Sequence, residues 1–208
     1  MQAIPKRIFV TGTDTGIGKT LVSAALTWGL KGHYFKPFQS GAVEDRDRDW
    51  VQQITGLGET HFSPESYLLQ AALSPNQAAE LEQVTIEPSH VALPHYQQTH
   101  LITEGVGGLM VPLNPQTLLL DWLKPLDMPV LLVARSGLGT LNHTLLSIEA
   151  LRHRAVPIWG IVLNGPLNPA NARDIEHFTQ LPILAQIEPF EQLNTQTLDH
   201  IFSQFLPL

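Results

Sequence analysis

The stretch Thr11-Gly12-Thr13-Asp14-Thr15-Gly16-Ile17-Gly18-Lys19-Thr20 joins an apolar run, Arg7–Thr11, to a longer amphipathic one, Lys19–Leu30. The first reads as a buried strand and the second as a helix. A glycine-rich turn between strand and helix exposes successive backbone N–H groups at a helix N-terminus. There they and the helix dipole favour an anion. Lys19 is placed to reach the β- and γ-phosphates of a nucleotide, and the Thr20 hydroxyl to ligate Mg²⁺. The spacing from Gly12 to Gly18-Lys19-Thr20 is one residue longer than the usual phosphate-binding loop. A chance glycine-rich turn would lack the strand before it and the helix after it.

Working outward, apolar runs alternate with amphipathic stretches. Strands are expected at His33–Lys36, Leu101–Thr103, Met128–Ala134, Ile158–Leu163 and Ile183–Ile187. Helices are expected at Asp47–Thr55, Leu141–His153, Pro169–Gln180 and Leu193–Phe205. Apolar strands separated by helices mean a parallel sheet buried on both faces. Right-handed crossovers then give an α/β fold: a doubly wound, mostly parallel sheet with helices on both faces, a three-layer P-loop NTPase-like sandwich. Gly56–His100 is polar and broken by prolines, and is expected to hold short helices and loops over the sheet edge. No repeat, low-complexity tract or linker interrupts the chain, so residues 1–208 read as one domain.

Ligands of such sheets bind beyond the carboxyl ends of the strands. The second strand delivers Lys36-Pro37-Phe38-Gln39-Ser40-Gly41 to that edge. Lys36 is either a solvated lysine before a turn or a second cation beside a γ-phosphate, with Ser40 a neutral donor and acceptor. Asp45, Asp47 and Asp49 alternate with Arg46 and Arg48, a pattern that suits a solvated helix start. One of the three could instead face a metal, and Asp49, leading directly into the amphipathic run, is the choice on position. The strand at Leu101 ends in Glu104-Gly105-Val106-Gly107-Gly108, an acid able to hold Mg²⁺ followed by glycines that admit a substrate to the backbone. Asn164-Gly165 closes a later strand, as a turn or as an amide that pairs with a purine. Ser136-Gly137-Leu138-Gly139-Thr140-Leu141-Asn142-His143 opens a helix whose N–H groups could bind a carboxylate.

Composition narrows the function. Of 208 residues, 19 are Asp or Glu and 12 Lys or Arg, a net charge of −7, which argues against a nucleic-acid partner. The absence of cysteine excludes disulfides, thiolate metal sites and a thiol nucleophile. Nine scattered histidines include no metalloprotease spacing. With no run of about 20 apolar residues and no secretory signal, a soluble cytoplasmic protein without membrane partners is expected.

Together these segments resemble the dethiobiotin synthetases, ATP-dependent ligases of biotin synthesis. The resemblance rests on Thr11-Gly12-Thr13-Asp14-Thr15 with Gly18-Lys19-Thr20, on Lys36-Pro37 with Ser40-Gly41, on Glu104-Gly105 with Gly107-Gly108, on Leu138-Gly139 with Asn142-His143, and on Asn164. It implies a homodimer that uses ATP and Mg²⁺ on 7,8-diaminopelargonate and CO₂. Lys19 and Lys36 would be catalytic, and Thr20, Asp49 and Glu104 would hold the metal. Thr15, Gly16, Ile17, Gly18, Gly105, Gly107, Asn164, Gly165 and Pro189 would complete the nucleotide site. Thr15, Ser40, Leu138, Gly139, Thr140 and Asn142 would contact the substrate. The sequence departs from the family pattern at Gly16, often an acid, and lacks the family's lysine before Leu138-Gly139, although Arg135 lies close by. Ser74-Pro75-Asn76 replaces a commoner Ser-Pro-His, and His177 stands where the resemblance implies an aromatic hydroxyl that helps bind the substrate tail. Partition and septum-site ATPases would instead carry a lysine where Asp14 stands. A cobyrinate amidation enzyme would need a glutaminase cysteine, which is absent. A non-enzymatic binding module would leave two lysines and two acids at one sheet edge unexplained.

Overall fold

The structure is a computed structural model that describes residues 3–41 and 46–206. Among them, six strands form one parallel sheet in the order β2 (His33–Phe35), β5 (Leu101–Gly108), β1 (Arg7–Gly12), β6 (Val130–Arg135), β7 (Ile158–Asn164) and β8 (Ile183–Ile187). Side chains alternate across it. Ile8 and Val10 join one apolar cluster with Leu131 and Val133, while Phe9 joins the other with Leu132 and Ala134. Strands buried on both faces read as near-continuous apolar runs rather than alternating with polar residues.

Helices α1 (Lys19–Leu30), α2 (Asp47–Thr55) and α7 (Thr195–Ser203) cover the first face through Val22, Leu26, Val51, Leu198 and Ile201. Helices α3 (Pro75–Leu81), α4 (Leu119–Leu123), α5 (Thr140–His153) and α6 (Pro169–Thr179) cover the second, through residues such as Ala78, Leu120, Ile148 and Ile175. The three-layer architecture expected from the sequence is therefore present. No helix of the described residues is long and apolar enough to cross a membrane.

The second strand ends at Phe35, and the chain then leaves the main sheet at Lys36-Pro37. Phe38–Ser40 (β3) pairs in parallel with Tyr67–Leu69 (β4) as a separate two-stranded sheet. Of these, β4 lies with α3 in Gly56–His100, so that segment holds a strand besides the short helices and loops expected there. Strand order reverses at β1, so a crevice opens outside its carboxyl end, between β5 and β6.

Candidate active site

The turn after β1 lies at this crevice. Gly16 and Gly18 have φ of +71° and +96°, left-handed values that residues with a Cβ rarely adopt. Gly18 caps α1, and Lys19 and Thr20 form its first turn. Thr15, Gly16, Gly18, Lys19 and Thr20 line a cleft of about 780 Å³. Ile17 turns its side chain into the core and offers only its backbone. Its carbonyl accepts a hydrogen bond from Asn164 Nδ2 at 2.9 Å, which ties the end of β7 to the turn. A Cβ on Gly18 would run into that same amide.

On the far wall the middle of β5, which runs on past the expected Leu101–Thr103, places Glu104, and the chain leaving β2 places Lys36; both are buried. Lys36 Nζ donates to Glu104 Oε1 at 3.1 Å and to Asp47 Oδ2. Thr20 Oγ1 donates to Glu104 Oε1 at 3.0 Å and to Asp47 Oδ1 at 3.1 Å. Tyr34, fully buried on β2, donates its phenol to Glu104 Oε2 at 3.0 Å. Burial works against the charge on Lys36, but Glu104 and Asp47 outweigh it and hold its pKa above the ordinary lysine value. Lys19 is less well compensated. Burial pulls its pKa down to about 8 against the attraction of Glu104, and Lys36 adds repulsion. Lys19 Nζ donates to the carbonyl of Asp14 at 2.8 Å, within its own loop.

The acid that faces the site is Asp47, not Asp49. On a helix, residues two apart point about 200° from one another. With Asp47 turned to Lys36 and Thr20, Asp49 is thrown outward, 52 % exposed beside Arg46 and Arg48. Asp45 lies outside the described residues. Gly105 also falls away from the cleft. A Cβ there would press on the Phe9 ring at 3.0 Å and on Leu119 at 3.2 Å, so close packing explains the glycine. Gly107, at φ +57°, does line the cleft, as does Ser40. Gly165, at φ +131°, leaves room for the Ser136 hydroxyl. Pro189 is exposed in the loop beyond Ile187, the register partner of Asn164.

Leu138, Gly139, Thr140 and Asn142 do not line the main cleft. Leu138 and Asn142 are exposed, Gly139 caps α5, and Thr140 is buried with its hydroxyl 3.2 Å from that of Thr144. They stand near a second cleft of about 380 Å³, lined by Asp14, Thr15, Met110, His143 and Leu146. Asp14 is engaged by Arg135 at 2.8 Å. Sequence reasoning missed Asp47 as the inward acid, the phenol of Tyr34, and Gln39. The buried Gln39 lines the main cleft, and its Oε1 accepts the Asp47 N–H at 3.4 Å. The helical phase of α2 relative to Val51 could have found Asp47.

The residues present fit a magnesium ion. Thr20, Asp47 and Glu104 supply only hard oxygen donors, the set Mg²⁺ takes. Among the described residues no three His, Cys, Asp or Glu cluster into a metal cage.

A protein family described as an AAA domain matches residues 6–197. An ATP-dependent dethiobiotin synthetase of Paramagnetospirillum magneticum is 44% identical over 191 residues, covering 92% of each chain. The chain belongs to the dethiobiotin synthetase family. The corresponding synthetase of Agrobacterium fabrum is 41% identical over 97% of this chain and 95% of its own. A bifunctional biotin biosynthesis protein of Bordetella avium is 45% identical over 98% of this chain, which spans 43% of that longer protein. Among solved structures, a plasmid partition protein of Borrelia burgdorferi superposes with a TM-score of 0.57 at 12% identity. It covers 99% of this chain and 92% of its own, a likeness of fold alone.

Proposed function

We propose that this member of the family makes dethiobiotin at the main cleft, consuming ATP with 7,8-diaminopelargonate and CO₂. The observation that carries the reading is the convergence of Lys19 and Lys36 with Thr20, Asp47 and Glu104 on one sheet edge. One amine of the substrate adds to the carbon of CO₂ and loses a proton, giving a carbamate. A carbamate oxygen attacks the γ-phosphorus as the bond to the ADP oxygen breaks. The second amine then attacks the carbonyl of the mixed anhydride, and phosphate leaves as the cyclic urea closes.

The central step brings a carbamate against a triphosphate, so cationic groups must offset the repulsion and stabilise charge on the transferring phosphoryl group. Lys36 is suited to this because its carboxylate partners keep it protonated and fixed. Lys19 gives up the Asp14 carbonyl for a phosphate. The loop N–H groups from Thr15 to Thr20 cradle the β-phosphate. Ser40 and Thr15 orient the carbamate. Asn164, already spending one N–H on Ile17, keeps its Oδ1 for the amino group of adenine. Thr20, Asp47 and Glu104 would hold the magnesium ion. When bound, that ion draws charge from the β- and γ-phosphates.

The α5 N-terminus, with Leu138, Gly139, Thr140 and Asn142, would hold the substrate's carboxylate from a second copy of the chain. This reading makes the active enzyme a homodimer, and a cytoplasmic location belongs with it. Purified protein incubated with labelled bicarbonate, ATP, Mg²⁺ and the diamino acid should yield acid-stable label with stoichiometric ADP. ATP hydrolysis without label would overturn the reading in favour of a nucleotide switch.

A further inference from the structure

We propose that Tyr34 is a positioning residue that makes Glu104 a one-oxygen ligand, and so sets the preference of the site for Mg²⁺ over Ca²⁺. The inference rests on the reading of Glu104 as a metal ligand.

The two oxygens of Glu104 are not equivalent. Oε1 receives Thr20 Oγ1 at 3.0 Å and Lys36 Nζ at 3.1 Å, the groups that face the cleft. Oε2 receives the Tyr34 phenol at 3.0 Å. Both Tyr34 and Glu104 are fully buried, so no solvent replaces that bond if it breaks. Tyr34 cannot follow a moving carboxylate. Its backbone is paired with Ile102 of β5, and the edge of its ring meets Phe62 with centroids 6.2 Å apart. Turning Glu104 so that both oxygens face the cleft would therefore strand a buried phenol O–H, a cost of the kind that single unmade hydrogen bonds exact in protein interiors.

The two cations respond differently to such a lock. Mg²⁺ is small, demands octahedral geometry and keeps several waters, so one oxygen from each carboxylate suffices. Ca²⁺ takes more ligands at longer distance and commonly uses both oxygens of a carboxylate. A carboxylate with one oxygen tied from behind thus serves Mg²⁺ without loss and handicaps Ca²⁺. A tyrosine on a buried strand otherwise reads as core, and removing only its hydroxyl leaves the packing in place.

The test uses the protein bound to a non-hydrolysable ATP analogue, with Mn²⁺ as the probe. Bound Mn²⁺ is followed by electron paramagnetic resonance while Mg²⁺ or Ca²⁺ displaces it. In Tyr34→Phe the ratio of Mg²⁺ to Ca²⁺ affinity should narrow by about tenfold, in the range that partners of metal ligands command. A ratio equal to that of the unaltered protein, or a parallel weakening of both ions, overturns the role of Tyr34. If Glu104→Gln binds Mn²⁺ as tightly as the unaltered protein, the ligand reading itself fails, which is a distinct result. Should Tyr34→Phe not fold, infrared difference spectra of the unaltered protein labelled with ¹³C-glutamate decide the matter. A one-oxygen carboxylate signature with Mg²⁺ is expected, and a two-oxygen signature with Mg²⁺ overturns the proposal.

Discussion

Lys36 is a buried cation whose nearest partners are two carboxylates, and those partners define what its loss would do. Lys36→Ala removes one electrostatic donor to the transition state, so kcat should fall about 10²–10³-fold, with a smaller change in ATP binding. It also leaves Glu104 buried without its counter-charge, an error that costs about 3–5 kcal/mol in protein interiors. The melting temperature should therefore drop, and adding Mg²⁺ with ADP should restore part of the loss. Unchanged turnover would remove Lys36 from the chemistry, and a melting point unaffected by Mg²⁺ would separate the metal from these carboxylates. The neighbouring acids give a sharper contrast. Asp47→Asn should raise the Mg²⁺ concentration needed for half-maximal ADP release about 10–100-fold, in line with lost metal-site contacts. Asp49→Asn, exposed and facing arginines, should leave that titration where it is. The two residues are indistinguishable by composition. Only the phase of the helix tells them apart, and that phase is fixed by Val51 entering the core.

Whole elements were more legible than the residues within them. Lys19–Leu30, Asp47–Thr55 and Ile183–Ile187 fold between the bounds that their periodicity predicts, because long apolar stripes and cap signals act over several turns or a whole strand. The first strand of the phosphate loop and its helix were readable for the same reason. Three-residue strands such as Phe38–Ser40 and Tyr67–Leu69 carry too few side chains to show a period, and they exist because they pair with each other. Leu119–Leu123 spans only five residues, apolar but for Asp121, too short to show a helical period. The β2 edge carries a consequence that appears only with partners in view. Gln98 Nε2 donates to the Thr60 carbonyl, so its Oε1 faces His33 and accepts from His33 Nδ1, while His33 Nε2 accepts from the Ser63 hydroxyl. Buried His33 stacks on Tyr96 with centroids 5.8 Å apart, and His61 lies near enough to oppose a further charge. Burial lowers its pKa below 6.5, and burial with Lys6 does the same for His100. Between the folded and unfolded values the unfolded chain binds more protons, so stability must fall as pH drops through about 6.5. Urea unfolding at stepped pH should show this decline, at no more than about 1.4 kcal/mol per pH unit for each group. His33→Gln should flatten it, and an identical slope in that variant would assign the acid sensitivity elsewhere.

At the scale of the whole molecule, the second cleft lies between the phosphate loop and exposed apolar side chains. Leu138 is 100 % exposed, Leu146 61 % and Met110 53 %, and the last two line that cleft with Asp14 and Thr15. Large apolar side chains gathered beside an active site mark an interaction surface more often than scattered single ones do. A homodimer through this face would bring the α5 N-terminus of one chain to the cleft of the other. Leu146→Glu tests the arrangement with little risk to the protomer, since the side chain already faces solvent. A carboxylate buried without a partner costs several kcal/mol, and each 1.4 kcal/mol is about tenfold in a dissociation constant. The dimer should thus weaken by at least about a hundredfold, which light scattering over a dilution series would register. The main cleft lies within one chain, so nucleotide affinity should survive while KM for the diamino acid rises steeply. Dimers of undiminished strength would move the interface to another face, and a monomer with unaltered KM would confine the substrate site to a single chain.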